Sequence, residues 1–111
     1  MKRAVIAGYS RSPFTMARKG ELIDVKPVNM FAEVVKNLVS KTKVNPADIE
    51  DIVVGCAFQV GEQSFNIGKL TTFLSGMEIH TSGMTVDRWC GSSMEATVSY
   101  THLTLPTIYS V

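Results

Sequence analysis

The apolar positions of this chain fall into short blocks whose spacing changes along its length. Arg3 to Ala7 is rich in Val and Ile and is closed by Gly8, the pattern of a buried first strand, and Ser10 to Phe14 reads as the loop leaving it. From Val28 to Thr42 the spacing becomes helical: Phe31, Val34, Val35, Leu38 and Val39 share one face, with Lys36, Asn37 and Lys41 elsewhere, which predicts an amphipathic helix. Asn45 is placed as an N-cap with Pro46 at the first helical position. The apolar run Ile52 to Ala57 follows almost at once as a strand, so that helix has room for about a turn. Ser64 to Leu74 puts Ile67, Leu70, Phe73 and Leu74 on one side and stops before Gly76, a residue suited to the left-handed C′ position; a second long helix is expected. Met84 to Asp87 reads as a strand running into Cys90, and the small residues after it open a third helix.

Strand and helix alternate throughout, which predicts an α/β fold with a mainly parallel or mixed sheet and helices packed on it. At 111 residues the chain is one unit. Eleven Lys and Arg stand against ten Asp and Glu, which gives no electrostatic reason to expect nucleic acid or membrane partners. The apolar run Ala4 to Ala7 is too short for the core of a signal peptide, and no run approaches membrane-spanning length, so a cytoplasmic location is expected. Cys56 and Cys90 lie far apart with no CxxC or Cys/His cluster, and neither a metal site nor a disulfide framework is expected.

The candidate chemistry sits at Cys90. A thiol attacks as its thiolate, and the unpaired N–H groups at a helix N-terminus favour such an anion. Cys90 falls between a strand and a helix start; Gly91 permits close approach of backbone or substrate, and Ser92, Ser93 and Ala96 are small enough to pack that helix start deep against a sheet. The carboxyl end of a strand is also where open α/β sheets bind ligands. The plain alternative for any free cysteine is a small buried hydrophobe, and this is the expectation for Cys56 inside its apolar strand. Trp89 is expected to pack, with Met94 and Ala96 as core.

The stretch TVDRWCGSSMEA resembles the nucleophile motif of the thiolases. The resemblance extends to KRAVIAGYSRSPF, similar to the family's opening strand and loop, and to DIVVGCAFQVGEQSFNIGK, similar to its Gln and Asn-containing segment; it covers residues 1 to about 97. The form of these motifs resembles the acyltransferases of fatty-acid β-oxidation more than the acetoacetyl-forming branch. Lys69 stands where the family usually has Arg, Gly68 where it has Ala, and Asp87 where Asn is common. Lys for Arg keeps the charge but loses the planar fork that a bidentate contact needs.

The resemblance implies a thiolase-like N-terminal half and a ping-pong reaction. The Cys90 thiolate attacks the keto carbon of a 3-ketoacyl-CoA, acetyl-CoA leaves, and free CoA removes the acyl group from sulfur, or the reverse condensation runs. It also implies coenzyme A as a substrate, no permanently bound cofactor, and a homodimer or homotetramer in which Met84 to Asp87 meets its two-fold mate. Supporting roles would fall to Gly91, Ser92, Gln63 and Asn66, the last two shaping the active-site floor or the subunit contact, or merely capping a helix. The family's Gly-His-Pro loop and second Cys beside glycines, which belong to its C-terminal half, do not occur in this sequence. His80 is expected to be a solvated loop residue rather than the missing base. A β-ketoacyl-carrier-protein synthase would share the fold, though its nucleophile motif lacks the Asp-Arg-Trp lead; a small non-catalytic interaction module is the alternative from another class.

After Ala96 the composition changes: VSYTHLTLPTIYSV contains no Asp, Glu, Lys or Arg. Thr97 to His102 are middling to poor helix formers and Pro106 blocks helix continuation. The stretch VSYTHLTLPT resembles, codon for codon, the translation of a transposase sequencing adapter, with an index supplying Ile108 to Ser110 and adapter triplets supplying Val111 and a stop. Residues 98–111 are therefore expected to be a non-native tail, residues 1–97 a partial thiolase N-terminal domain, and the chain as it stands inactive.

Overall fold

A computed structural model describes residues 3–104. Its first helix, α1, spans Pro27–Thr42, as the apolar spacing predicts. Pro27 occupies the first turn, where its missing N–H costs nothing, and the helix stops as Lys43 turns left-handed at φ 56°. The following turn is also as expected: Pro46–Asp48 forms a single 3₁₀ turn, with the Asn45 side chain accepting the Ala47 N–H at 3.1 Å.

Two strands follow, β1 over Asp51–Gly55 and β2 over Ser82–Val86, paired in parallel from Asp51 opposite Ser82 to Gly55 opposite Val86. Between them runs α2, Ile67–Leu74, so the three make a βαβ unit, and the α/β expectation holds. α2 begins later than the sequence pattern suggests. Phe65 and Asn66 take left-handed φ values of 61° and 57°, and the Asn66 side chain caps the helix by accepting the Lys69 N–H at 3.3 Å. Its far end behaves as read: Gly76 is left-handed at φ 73° and the Met77 N–H reaches back to the Thr72 carbonyl at 3.1 Å.

The buried face of α2 is not the one its large apolar residues predict. Ile67, Gly68, Thr71 and Thr72 are buried, whereas Phe73 and Leu74 are exposed. The reason is a close backbone approach. A Cβ on Gly68 would overlap the Met84 carbonyl oxygen, and one on Gly83 would come within 2.6 Å of the Lys69 Cα. Small residues let α2 lie directly on β2, and the Thr71 hydroxyl is satisfied inside its own helix, donating to the Ile67 carbonyl at 2.8 Å.

The expected first strand is not formed. Residues 3–16 contain no strand, and Val5 and Ile6 are 81% and 84% exposed. Strand composition becomes a strand only beside a partner edge, and among the described residues β1 and β2 pair only with each other. The segment instead runs along α1, where the Ser10 hydroxyl donates to the Asn37 side chain at 2.9 Å and the Lys41 ammonium to the Tyr9 carbonyl at 3.3 Å.

The last helix, α3, spans Ser92–Thr104. It continues past Thr97 despite the modest propensities there, which differ from better formers by only tenths of a kcal/mol per residue. The Thr97 and Thr101 hydroxyls satisfy themselves on the Ser93 and Val98 carbonyls at 3.1 and 2.6 Å. Ser92 and Ala96 are buried, but Met94, expected in the core, is 70% exposed. Pro106 and the rest of the tail from residue 105 onward lie outside the described residues.

Candidate functional site

The chain passes from β2 to α3 through a tight elbow, Asp87 to Gly91, and Cys90 stands on it, exposed and free. Gly91 accepts the first helical hydrogen bond, from the Glu95 N–H at 3.0 Å. Cys90 therefore immediately precedes the N-cap, beside the first-turn N–H groups that have no partner within the helix. Parallel pairing puts the elbow at the carboxyl edge of the sheet, as the position of Cys90 after a strand predicts.

The elbow is held by a dense set of local hydrogen bonds. Trp89 is left-handed, at φ 49°. The Asp87 carboxylate accepts the Trp89 N–H at 2.9 Å, the Gly91 N–H reaches the Arg88 carbonyl at 3.0 Å, and the Ser92 N–H reaches the Trp89 carbonyl at 3.1 Å. The Ser92 hydroxyl accepts the Arg88 N–H at 2.8 Å and donates to the Trp89 carbonyl at 2.7 Å. Outside this knot, Arg88 and Glu95 close an ion pair at 2.9 Å from the strand end to the first turn of α3.

Gly55, the last residue of β1, fixes where α3 begins. A Cβ there would overlap the Ser92 carbonyl carbon and the Ser93 nitrogen, so the helix start rests directly on the sheet's carboxyl edge. Sequence reading passed over this glycine as one more member of an apolar strand. The available signal was its place at the strand's end, a point where close backbone approach requires glycine.

Of the proposed supporting residues, Gly91 and Ser92 belong to the elbow itself. Gln63 lines a cavity of about 270 Å³ together with Gly55, Cys56 and Ser93, and its amide donates to the Phe58 carbonyl at 3.0 Å. It therefore borders the first turn of α3. Asn66 is committed elsewhere: besides capping α2, its amide donates to the Gly83 carbonyl at 3.0 Å and its oxygen accepts the Thr85 hydroxyl at 2.8 Å. Cys56 is buried, with its thiol 3.6 Å from the Phe58 carbonyl, in keeping with its reading as a small hydrophobe. Trp89, expected to pack, is exposed, and meets Phe58 edge-on at 6.4 Å between ring centroids.

Neither histidine approaches the thiol along the chain's own framework. His80 precedes β2, bonded to the Ala47 carbonyl at 3.1 Å, and so lies at the amino edge of a strand whose carboxyl edge carries Cys90. The strand's length, roughly 15 Å, separates them. His102 lies near the far end of α3, roughly 15 Å along the axis from its start. The Lys69 ammonium donates to the Thr81 carbonyl at 2.7 Å and sits 4.9 Å above the Phe73 ring. It ties α2 to the approach of β2 with a single-point contact that needs no planar fork. Among the described residues no group of His, Cys, Asp or Glu could hold a metal ion.

The family described as "Thiolase, N-terminal domain" matches residues 4–103. A 3-ketoacyl-CoA thiolase of Colwellia psychrerythraea is 39% identical over 97 residues, 86% of this chain and 25% of that protein. One of Psychrobacter arcticus is 40% identical over 95 residues, 86% of this chain and 24% of that protein. The chain thus spans about a quarter of the length of the curated relatives it matches. Among solved structures, the Bacillus anthracis acetyl-CoA acetyltransferase superposes with a TM-score of 0.79 at 25% identity, over 93% of this chain and 26% of that one. The Acat5 thiolase of Ascaris suum, solved in complex with coenzyme A, shares the fold with a TM-score of 0.70 at 21% identity, over 76% and 22% of the two chains. With its βαβ unit, its elbow cysteine and a family match over residues 4–103, the chain belongs to the thiolase family.

Proposed function

We propose that residues 1–97 come from a CoA-dependent acyltransferase that cleaves a 3-ketoacyl-CoA, or runs the reverse condensation, through an acyl group carried on Cys90. The observation that carries this reading is the exposed thiol at the carboxyl edge of the sheet, set at the start of α3. In the cleavage direction the sulfur anion adds to the keto carbon, and the bond to the neighbouring carbon breaks. The departing acetyl-CoA carbanion is protonated, and the thiol of free CoA displaces the acyl group from sulfur. The 3-ketoacyl-CoA thiolase relatives favour the degradative branch, fatty-acid β-oxidation. CoA and its acyl thioesters are then substrates, with no resident cofactor, and the protein works in the cytoplasm.

The reading includes the assembly and the tail. β2 has one edge unpaired among the described residues, and that edge meets its two-fold mate in a homodimer or homotetramer. Residues 98–111 are foreign to the parent protein, and the chain as it stands turns over no substrate. Nothing in its described residues supplies a base beside Cys90, and loss of even one oxyanion donor typically costs on the order of a hundredfold. The test is thiolysis of a 3-ketoacyl-CoA by three proteins: this chain, the full-length protein in which Ala96-Thr97 runs into the natural gene sequence, and its Cys90→Ser variant. Activity only in the second is expected. Cleavage by the 111-residue chain, or wild-type turnover by Cys90→Ser, contradicts the reading.

A further inference from the structure

The Ser92 hydroxyl is the most buried polar group at the elbow, on a residue 4% exposed, and both of its strong hydrogen bonds go to the backbone on either side of the Arg88–Trp89 peptide. We propose that Ser92 is a positioning residue for Cys90: its hydroxyl locks the left-handed turn at Trp89 and so fixes where the thiol stands relative to the start of α3. This rests on the reading of Cys90 as the nucleophile, and assigns to Ser92 a task beyond being small.

A bulky residue such as Trp does not hold a positive φ unless its surroundings impose it. Beyond Val86 the Arg88 N–H has left the β1–β2 ladder, and it finds its acceptor in the Ser92 oxygen at 2.8 Å. The same hydroxyl returns its proton to the Trp89 carbonyl at 2.7 Å, which also receives the Ser92 N–H at 3.1 Å. One side chain thus holds the donor before the left-handed residue and the acceptor after it. Cys90 is the residue directly following. Because Ser92 is pressed against Gly55, the clasp is anchored to β1 as well as to its own helix. The other polar contacts in reach hold one backbone group each: the Gly91 N–H closes on the Arg88 carbonyl at 3.0 Å, and the Asp87 carboxylate takes the Trp89 N–H at short range and stands 3.5 Å from the Ser92 oxygen. The Arg88–Glu95 pair joins side chains only, with Arg88 mostly exposed.

The test uses the full-length protein and needs no acyl chemistry, so its failure is separable from failure of the thiolase reading. Iodoacetamide labelling is followed by peptide mass spectrometry at Cys90 and at buried Cys56 in wild type, Ser92→Ala and Ser92→Thr. Losing the clasp should slow Cys90 labelling about five- to tenfold, the scale of one net hydrogen bond, with Cys56 still protected. Thr, which keeps the hydroxyl, should recover most of the rate. Wild-type labelling in Ser92→Ala overturns the proposal, as does a Thr variant as slow as Ala. A parallel rise in Cys56 labelling also overturns it, because Ser92 would then be holding the fold as a whole.

Discussion

Replacing Gly55 by alanine adds one methyl group at the point where the sheet and α3 touch. The new Cβ would fall on the Ser92 carbonyl carbon and the Ser93 nitrogen, against an ordinary closest approach of 3.4 Å. Both are backbone atoms in the first turn of a helix, so no side chain can swing aside. The start of α3 must retreat by on the order of 1 Å to restore normal carbon contacts, and Cys90, two residues before Ser92, moves with it. Overpacking of this kind costs about 1–3 kcal/mol of stability. The larger effect is on rate, since a misplacement of about 1 Å in a reacting group lowers turnover by roughly a hundredfold. In the full-length protein, Gly55→Ala should therefore keep a cooperative melt while kcat for thiolysis drops by about two orders of magnitude. The check is to measure melting and steady-state kinetics on the same preparation. An alanine variant with wild-type kcat would refute the claim that Gly55 sets the position of the nucleophile.

Two further outcomes are expected. Asn66→Ala removes the cap of α2 together with its contacts to Gly83 and Thr85, and should cost the full-length protein about 2 kcal/mol or more in urea unfolding; a change below about 0.5 kcal/mol would contradict that reading. The 111-residue chain, with Val5, Ile6, Phe14 and Phe65 exposed, should aggregate or melt without a sharp transition, and a soluble monomer with a steep two-state melt by circular dichroism would contradict it.

What the sequence made legible was local. The spacing of Phe31, Val34, Val35, Leu38 and Val39 located α1, the Asn45-Pro46 pair located a turn that the structure closes as read, and Gly76 marked the end of α2 because a left-handed residue was needed there. Cys90 could be placed between strand and helix for the same reason. What stayed hidden depends on partners distant in the sequence. Arg3 to Ala7 has the composition of a strand but pairs with neither strand of the sheet among the described residues. The buried face of α2 is made of Gly68, Thr71 and Thr72 rather than Leu and Phe, since it packs on the backbone of β2, and an apolar-periodicity argument looks for large side chains. Gly55 and the Ser92 hydroxyl, which together hold the elbow, carry no apolar signal at all. Gly55 had its place at the strand's end as a signal, but the backbone it touches and the two bonds of the Ser92 hydroxyl show only once β1 and α3 are brought together.

The proposed reaction requires Cys90 to carry the acyl group. The most direct measurement is to mix the full-length protein with acetyl-CoA in the absence of an acceptor, quench in acid, digest, and locate the acetyl group by mass spectrometry. An acetyl thioester is expected on the peptide containing Trp89-Cys90-Gly91, released when CoA is added before the quench and absent in Cys90→Ser. An acetyl group found on Cys56 or another residue, or a Cys90→Ser protein that still exchanges acetyl groups with CoA at the wild-type rate, would contradict it.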